Sequence, residues 1–271
     1  MKAITILFLL NLLAGCAIKS SNVNDESLIQ LKVSAADTIV VIYNHGTRNP
    51  RKKERCQSSY NRVPDSLTEL TNDRFIIYYL CSNATEGTAR NQAGNQVYAR
   101  MYEIEQAMDK LIEQGIAPEH IFLAGHSKGA WASLMLMNQV NIKFNAAILF
   151  APALANRKST EKYPWWRGEV RTKQIKQMLR AQNIDALIFA YDDDEYNRPQ
   201  DLQFLIDHDP ESVRIVSYRC DCEYTHNTHL DDCRHQQTKS TISQYIQQQI
   251  RPFSHSRSRF SPKSGSLLGP D

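Results

Sequence analysis

HIFLAGHSKGAWASLML, residues 120–136, reads as a strand, a sharp turn and a helix with a serine at the apex. Ile121 to Ala124 is a short apolar run, Gly125-His126-Ser127-Lys128-Gly129 is the turn, and a helix-forming run follows. Such a turn needs small residues on either side of the serine, because its backbone is strained and strand and helix pack closely. It holds the Ser127 hydroxyl clear of its neighbours. The amide of Lys128 and a helix N-terminus then face any negative charge that develops beside it. The alternative is an ordinary serine in a glycine-containing turn; the flanking strand and helix argue against that.

The same order repeats along the chain. Thr38 to Tyr43 (TIVVIY) and Phe75 to Leu80 (FIIYYL) are continuous apolar runs, as expected of strands buried on both faces. Val97, Met101, Ile104, Met108 and Leu111 fall at helical spacing, and Gly115 ends that helix. Strands follow at Ala146 to Phe150, Ala186 to Tyr191 and Val213 to Tyr218. A short helix opens at Pro199, and a final one is expected over Thr238 to Ile250. Strands separated by helices imply an α/β architecture, a mostly parallel sheet covered on both sides.

Chemistry in such sheets gathers at the carboxyl ends of the strands. Those ends carry Asn44-His45-Gly46, then Ser127, then Asp192-Asp193-Asp194-Glu195, and finally a loop with His226 and His229. A serine hydroxyl needs a base to take its proton, and the base needs a carboxylate to fix its tautomer. The chain supplies all three in the order serine, acid, histidine. Over residues 37–250 it therefore resembles the α/β-hydrolase superfamily, on the GHSKG elbow and the HG turn after the first strand, and more particularly the lipid-anchored hydrolases of Gram-negative bacteria.

The resemblance implies an α/β-hydrolase fold with a short cap-like insertion and a serine hydrolase acting through an acyl-enzyme. Ser127 is the expected nucleophile. Asp194 is preferred as the acid, with Asp193 as alternative, because it lies shortly past the strand and before Pro199. His226 is preferred as the base over His229, and His235 is assigned to the surface. The family's glycine beside this histidine is replaced here by Tyr224, Thr225 and Asn227. The HG turn implies that the amide of Thr47 completes an oxyanion hole with that of Lys128, and that His45 is structural. A carboxylic ester or other small acyl compound is the expected substrate. Peptidase, amidase or thioesterase action on the same triad, and a non-catalytic envelope binding protein, are the alternatives. Tyr163, Pro164, Trp165 and Trp166 precede a basic segment (Arg167, Arg171, Lys173, Lys176) where a lid commonly forms; the tryptophans either wall a pocket or pack a long loop.

The ends of the chain speak of location. Residues 1–15 (MKAITILFLLNLLAG) carry an early lysine and an apolar run too short to span a bilayer, the pattern of a signal peptide. Leu13-Ala14-Gly15-Cys16 resembles a bacterial lipoprotein signal, with Cys16 the lipidated residue of a polar tether over 16–36. By resemblance to enterobacterial sorting rules, alanine at position 17 implies the outer membrane, facing the periplasm. Residues 251–271, rich in Ser, Arg and Pro, read as a disordered tail. A net charge of +3 gives no argument for nucleic acid. Five cysteines remain after Cys16: Cys56, Cys81, Cys220, Cys222 and Cys233. An exported chain keeps structural disulfides, so Cys233 is expected to pair with Cys220 or Cys222, and Cys56 with Cys81. The late cysteines match no common zinc spacing, so no metal is expected, nor any organic cofactor. The oligomeric state is not legible.

Overall fold

The computed structural model describes residues 37–47, 60–85, 90–139, 142–154, 165–221 and 224–250. The signal peptide, Cys16 and its tether, Cys56, Cys222, Tyr163, Pro164 and the tail lie outside the described residues.

Among the described residues, six parallel strands form one sheet: β1 (Ile39–Asn44), β2 (Phe75–Leu80), β3 (Ile121–His126), β4 (Ala146–Phe150), β5 (Ala186–Tyr191) and β6 (Val213–Tyr218). Their spatial order is β2-β1-β3-β4-β5-β6. Among the described residues, six α-helices cover it: α1 (Asp65–Thr68), α2 (Asn95–Glu113), α3 (Lys128–Leu136), α4 (Thr172–Met178), α5 (Gln203–His208) and α6 (His235–Ile250). Among the described residues, no helix is long and apolar enough to cross a membrane.

The continuous apolar runs serve two cores at once, because successive side chains of a strand point to opposite faces. Val40 and Ile42 of β1, Ile121 and Leu123 of β3, and Ile188 of β5 pack beneath α2, α3, α4 and α5. Val41 and Tyr43, Phe122 and Ala124, and Leu187, Phe189 and Tyr191 pack on the opposite face, with Leu67 of α1 and Ile242, Tyr245 and Ile246 of α6. Each large side chain buried this way contributes about 1.5–3 kcal/mol. All nine residues of α3 are buried, which explains a helix with no polar face. Trp131 on it is fully buried and still donates its indole N–H to Gln174 Oε1 at 2.8 Å.

Several boundaries differ from the sequence expectation; β1, for one, spans Ile39–Asn44 rather than Thr38 to Tyr43. β3 runs on to His126, because Gly125 and His126 pair with Leu149 and Phe150 of β4; small residues that read as a turn are held in the sheet by their neighbours. α6 starts at His235 rather than Thr238, and His235 Nε2 meets Glu69 Oε1 at 3.0 Å. The chain runs from β1 out to β2 and returns to β3 on the other side of β1. That reversal opens a crevice at the carboxyl ends of β1 and β3, where ligands bind in open parallel sheets.

Candidate active site

Ser127 sits in that crevice between β3 and α3, with φ 54° and ψ −120°. A non-glycine residue rarely adopts this conformation, and it persists only where surrounding structure enforces it. The enforcement is visible: Ser127 N–H donates to Phe150 O at 3.0 Å, and Ser127 O accepts from the amides of Trp131 (2.9 Å) and Ala153 (3.2 Å). The flanking glycines are set by close approach. A Cβ on Gly129 would lie 2.1 Å from Asn44 O, and one on Gly125 2.7 Å from the same oxygen.

Three expected residues converge here. His226 Nε2 lies 2.9 Å from Ser127 Oγ, and His226 Nδ1 lies 2.8 Å from Asp194 Oδ2. A carboxylate only accepts, so Nδ1 carries the proton and Nε2 is left to accept from the serine hydroxyl. Asp194 is fully buried, and its Oδ1 accepts the Tyr196 amide at 2.7 Å. The other candidates are engaged elsewhere. Asp193 forms an ion pair with exposed Arg219 at 3.3 Å. His229 is buried and stacks on His126, ring centroids 4.0 Å apart.

His226 is carried by a 3-10 turn, Thr225–Asn227, so the missing glycine does not prevent the histidine from reaching Ser127. The turn is tied from several sides. Thr225 Oγ1 donates to Asp193 O at 3.1 Å, and the His126 ring, through Nε2–H, donates to His226 O at 2.9 Å. A disulfide between Cys220 and Cys233 closes the loop that bears the turn. Cys81 is also disulfide-bonded; its expected partner Cys56 lies outside the described residues. Cys220, Asp232 and Cys233 form the single metal-like cluster among the described residues, and the disulfide leaves it no free thiolate.

Burial first, and neighbouring imidazoles second, hold the pKa of His126 well below the usual histidine value. Burial, then His226 and Arg62, does the same to His229. Both rings are neutral partners of the active loop.

Thr47 and Gly46 line the crevice beside Ser127. Lys128 does not line it: its side chain turns to α2, donating to Gln96 Oε1 at 3.0 Å with Nζ 4.9 Å from the Trp166 ring centroid. Its amide is the first of α3.

A residue with no signature in the sequence organises the HG turn. Arg100, fully buried on α2, donates to Asn44 Oδ1, to His45 O at 2.5 Å and to Gly46 O at 2.9 Å. The Ser82 amide donates to His45 Nε2 at 3.2 Å, so His45 Nδ1 carries the proton and donates to Gly46 O at 2.7 Å. Two donors thus draw the Gly46 carbonyl inward. In a trans peptide the next N–H points the opposite way, which turns the Thr47 amide from the core toward the crevice.

The tryptophans do not wall this crevice. Trp166 is buried in the core beneath the helices and Trp165 packs against the same cluster. The basic residues after them brace the acid loop instead: Arg167 donates to Tyr196 O, and Arg171 donates to Asp201 O at 2.6 Å. Their aliphatic stems and planar heads suit apolar surroundings, and Arg171 lies 5.5 Å from the Trp131 ring centroid.

No family model matches the chain, and no curated protein does. Solved structures do. A puromycin-hydrolyzing peptidase of Mycobacterium tuberculosis superposes with a TM-score of 0.55 at 14% identity, over 81% of this chain and 36% of that one. Esterase 2 of Thermogutta terrifontis, phosphonylated by sarin, gives 0.53 at 13% identity, over 79% and 85%. A monoacylglycerol lipase of Paleococcus ferrophilus gives 0.52 at 13%, over 77% and 93%. Against a prolyl endopeptidase the chain spans about a third of the partner's length, 35%. At these identities the likeness is one of fold. The chain has the α/β-hydrolase fold, a six-stranded parallel sheet covered by helices on both faces.

Proposed function

We propose that the chain is a serine hydrolase that cleaves carboxylic esters through an acyl-enzyme on Ser127. The observation that carries this reading is the continuous relay from Ser127 Oγ through His226 to buried Asp194, at 2.9 and 2.8 Å. As Ser127 Oγ attacks the acyl carbon, its proton passes to His226 Nε2. Asp194 stabilises the imidazolium that forms. The amides of Thr47 and Lys128 are the donors proposed for the oxyanion of the tetrahedral intermediate. Collapse breaks the bond to the alcohol, which leaves with the proton from His226. Water then enters and its oxygen attacks the acyl carbon as its proton passes to the same nitrogen; collapse breaks the bond to Ser127 Oγ, which takes that proton back from His226, and the acid leaves.

The acid assignment is tested by steady-state turnover of a simple acetate ester. Asp194→Ala is expected to lower kcat by on the order of 10⁴, as loss of the tautomer-fixing carboxylate does elsewhere, while Asp193→Ala lowers it by less than about tenfold. Equal small losses contradict the assignment.

The same proposal tethers the domain through lipidated Cys16 to a bacterial envelope, facing the periplasm. Incorporation of an alkyne-tagged fatty acid, lost in Cys16→Ala, is the expected result; equal labelling of both contradicts it.

A further inference from the structure

We propose that the crevice beside Ser127 holds a recognition subsite for a neutral, hydroxyl-rich ring, so that the substrate is a short-chain acyl ester of a saccharide. This rests on the hydrolase reading above and adds the class of leaving group to it.

Asn61 carries the argument. It lines the crevice and is only 7% exposed, yet no described residue hydrogen-bonds its carboxamide. Its backbone is fixed, since Tyr79 Oη–H donates to Asn61 O at 2.8 Å. Next to it, Arg62 donates to Asp65 Oδ1 at 2.7 Å and Leu230 O at 2.8 Å, binding this segment to the loop of His226. A carboxamide held on a fixed backbone at the crevice wall, with no described side chain or backbone group engaging it, is available to a ligand. Asn227 follows His226 on the same turn and lines the same crevice, and no described residue hydrogen-bonds its side chain either. Two carboxamides offer donors and acceptors together, and a hydroxyl needs both.

The mouth is aromatic. Tyr60 and Tyr224 stand edge to face, centroids 6.3 Å apart, and remain 56% and 50% exposed. Their rings offer flat apolar surface to the C–H face of a sugar ring. Among the described residues the lining includes no aliphatic side chain, phenylalanine, lysine or arginine, a composition that suits a neutral polar ring. The cavity of about 210 Å³ is smaller than pockets that bury drug-sized ligands, about 300–1,000 Å³, which suits a short acyl group.

Binding is measured on Ser127→Ala protein, so the subsite is judged whether or not Ser127 proves nucleophilic. Calorimetric titration with 6-O-acetylglucose is expected to give saturable binding, weakened at least tenfold by adding Asn61→Leu. Asn227→Leu serves in the same way should Asn61→Leu lower the thermal midpoint. On the chain with Ser127 intact, kcat/KM for 6-O-acetylglucose is expected to exceed that for butyl acetate and p-nitrophenyl octanoate at least tenfold, and the asparagine variants bring the ratio toward one. No saccharide binding, or a preference for the octanoate or for an acyl-prolyl amide, overturns the subsite. Failure of a fluorophosphonate to label Ser127 overturns the hydrolase reading alone.

Discussion

Arg100 supports Ser127 without touching it. Its guanidinium holds three oxygens of the HG turn in a fixed fork, and a lysine ammonium is a single point charge on a flexible stem. Arg100→Lys is therefore expected to lower kcat by roughly tenfold to a hundredfold with little change in KM, since one oxyanion donor is worth about 10²–10³. His45→Asn keeps a donor near Gly46 O and is expected to cost less than His45→Leu. Steady-state kinetics separate the outcomes: a rise in KM at constant kcat would place Arg100 in substrate binding instead. Ser127 was legible because its signal is local, two glycines around a serine between a strand and a helix. Arg100 was not, because the carbonyl it holds at His45 is 55 positions away, and a lone arginine on a helix otherwise reads as solvated. Asn61 was missed for a related reason: its importance lies in the partners it lacks, which no sequence pattern records.

The elements that bear the site are held by approach distances as much as by hydrogen bonds. β1 passes so close to the start of α3 that Gly129 has no room for a methyl group. Gly129→Ala is expected to destabilise the protein by more than about 2 kcal/mol, through overpacking against backbone that cannot rotate away. Urea denaturation measures it, and a loss under 0.5 kcal/mol would mean that β1 and α3 separate easily. Strand positions were readable because parallel strands buried on both faces are unbroken apolar runs. Of the two readings of the tryptophans, packing is the one found, and residues 155–164 ahead of them lie outside the described residues. Aromatic residues followed by arginines suit a mobile cap and a buried brace equally well, and only packing against Trp131 and the acid loop separates them.

For the molecule as a whole, the neutral histidine pair couples stability to pH. His126 and His229 have pKa values depressed in the folded state, whereas in the unfolded chain each titrates near about 6.5. Above that pH the two states bind the same protons and the stability is fully present. As pH falls below it, the unfolded chain gains protons that the native state refuses. Stability then drops by up to about 1.4 kcal/mol per pH unit for each histidine until the native values are reached. His229→Phe keeps an aromatic ring between His126 and Phe150 and removes one of the two protons. Urea midpoints between pH 7 and pH 5 are expected to fall less steeply in that variant, and identical slopes contradict the coupling. The order serine, acid, histidine along the chain anticipated how strands β3, β5 and β6 deliver their loops to one crevice, because a parallel sheet gathers all its carboxyl ends on one edge. Of the adjacent aspartates, Asp194 lies against His226 and Asp193 against Arg219, a difference that no spacing in the sequence records.

The account depends above all on Ser127 Oγ being a nucleophile activated by His226. Incubation with a fluorophosphonate followed by peptide mass spectrometry tests this in one step. One adduct per chain is predicted, on the peptide containing Ser127, absent in Ser127→Ala and slowed by at least a hundredfold in His226→Ala. Folded protein that stays unlabelled, or that is labelled equally well without Ser127, would contradict the account.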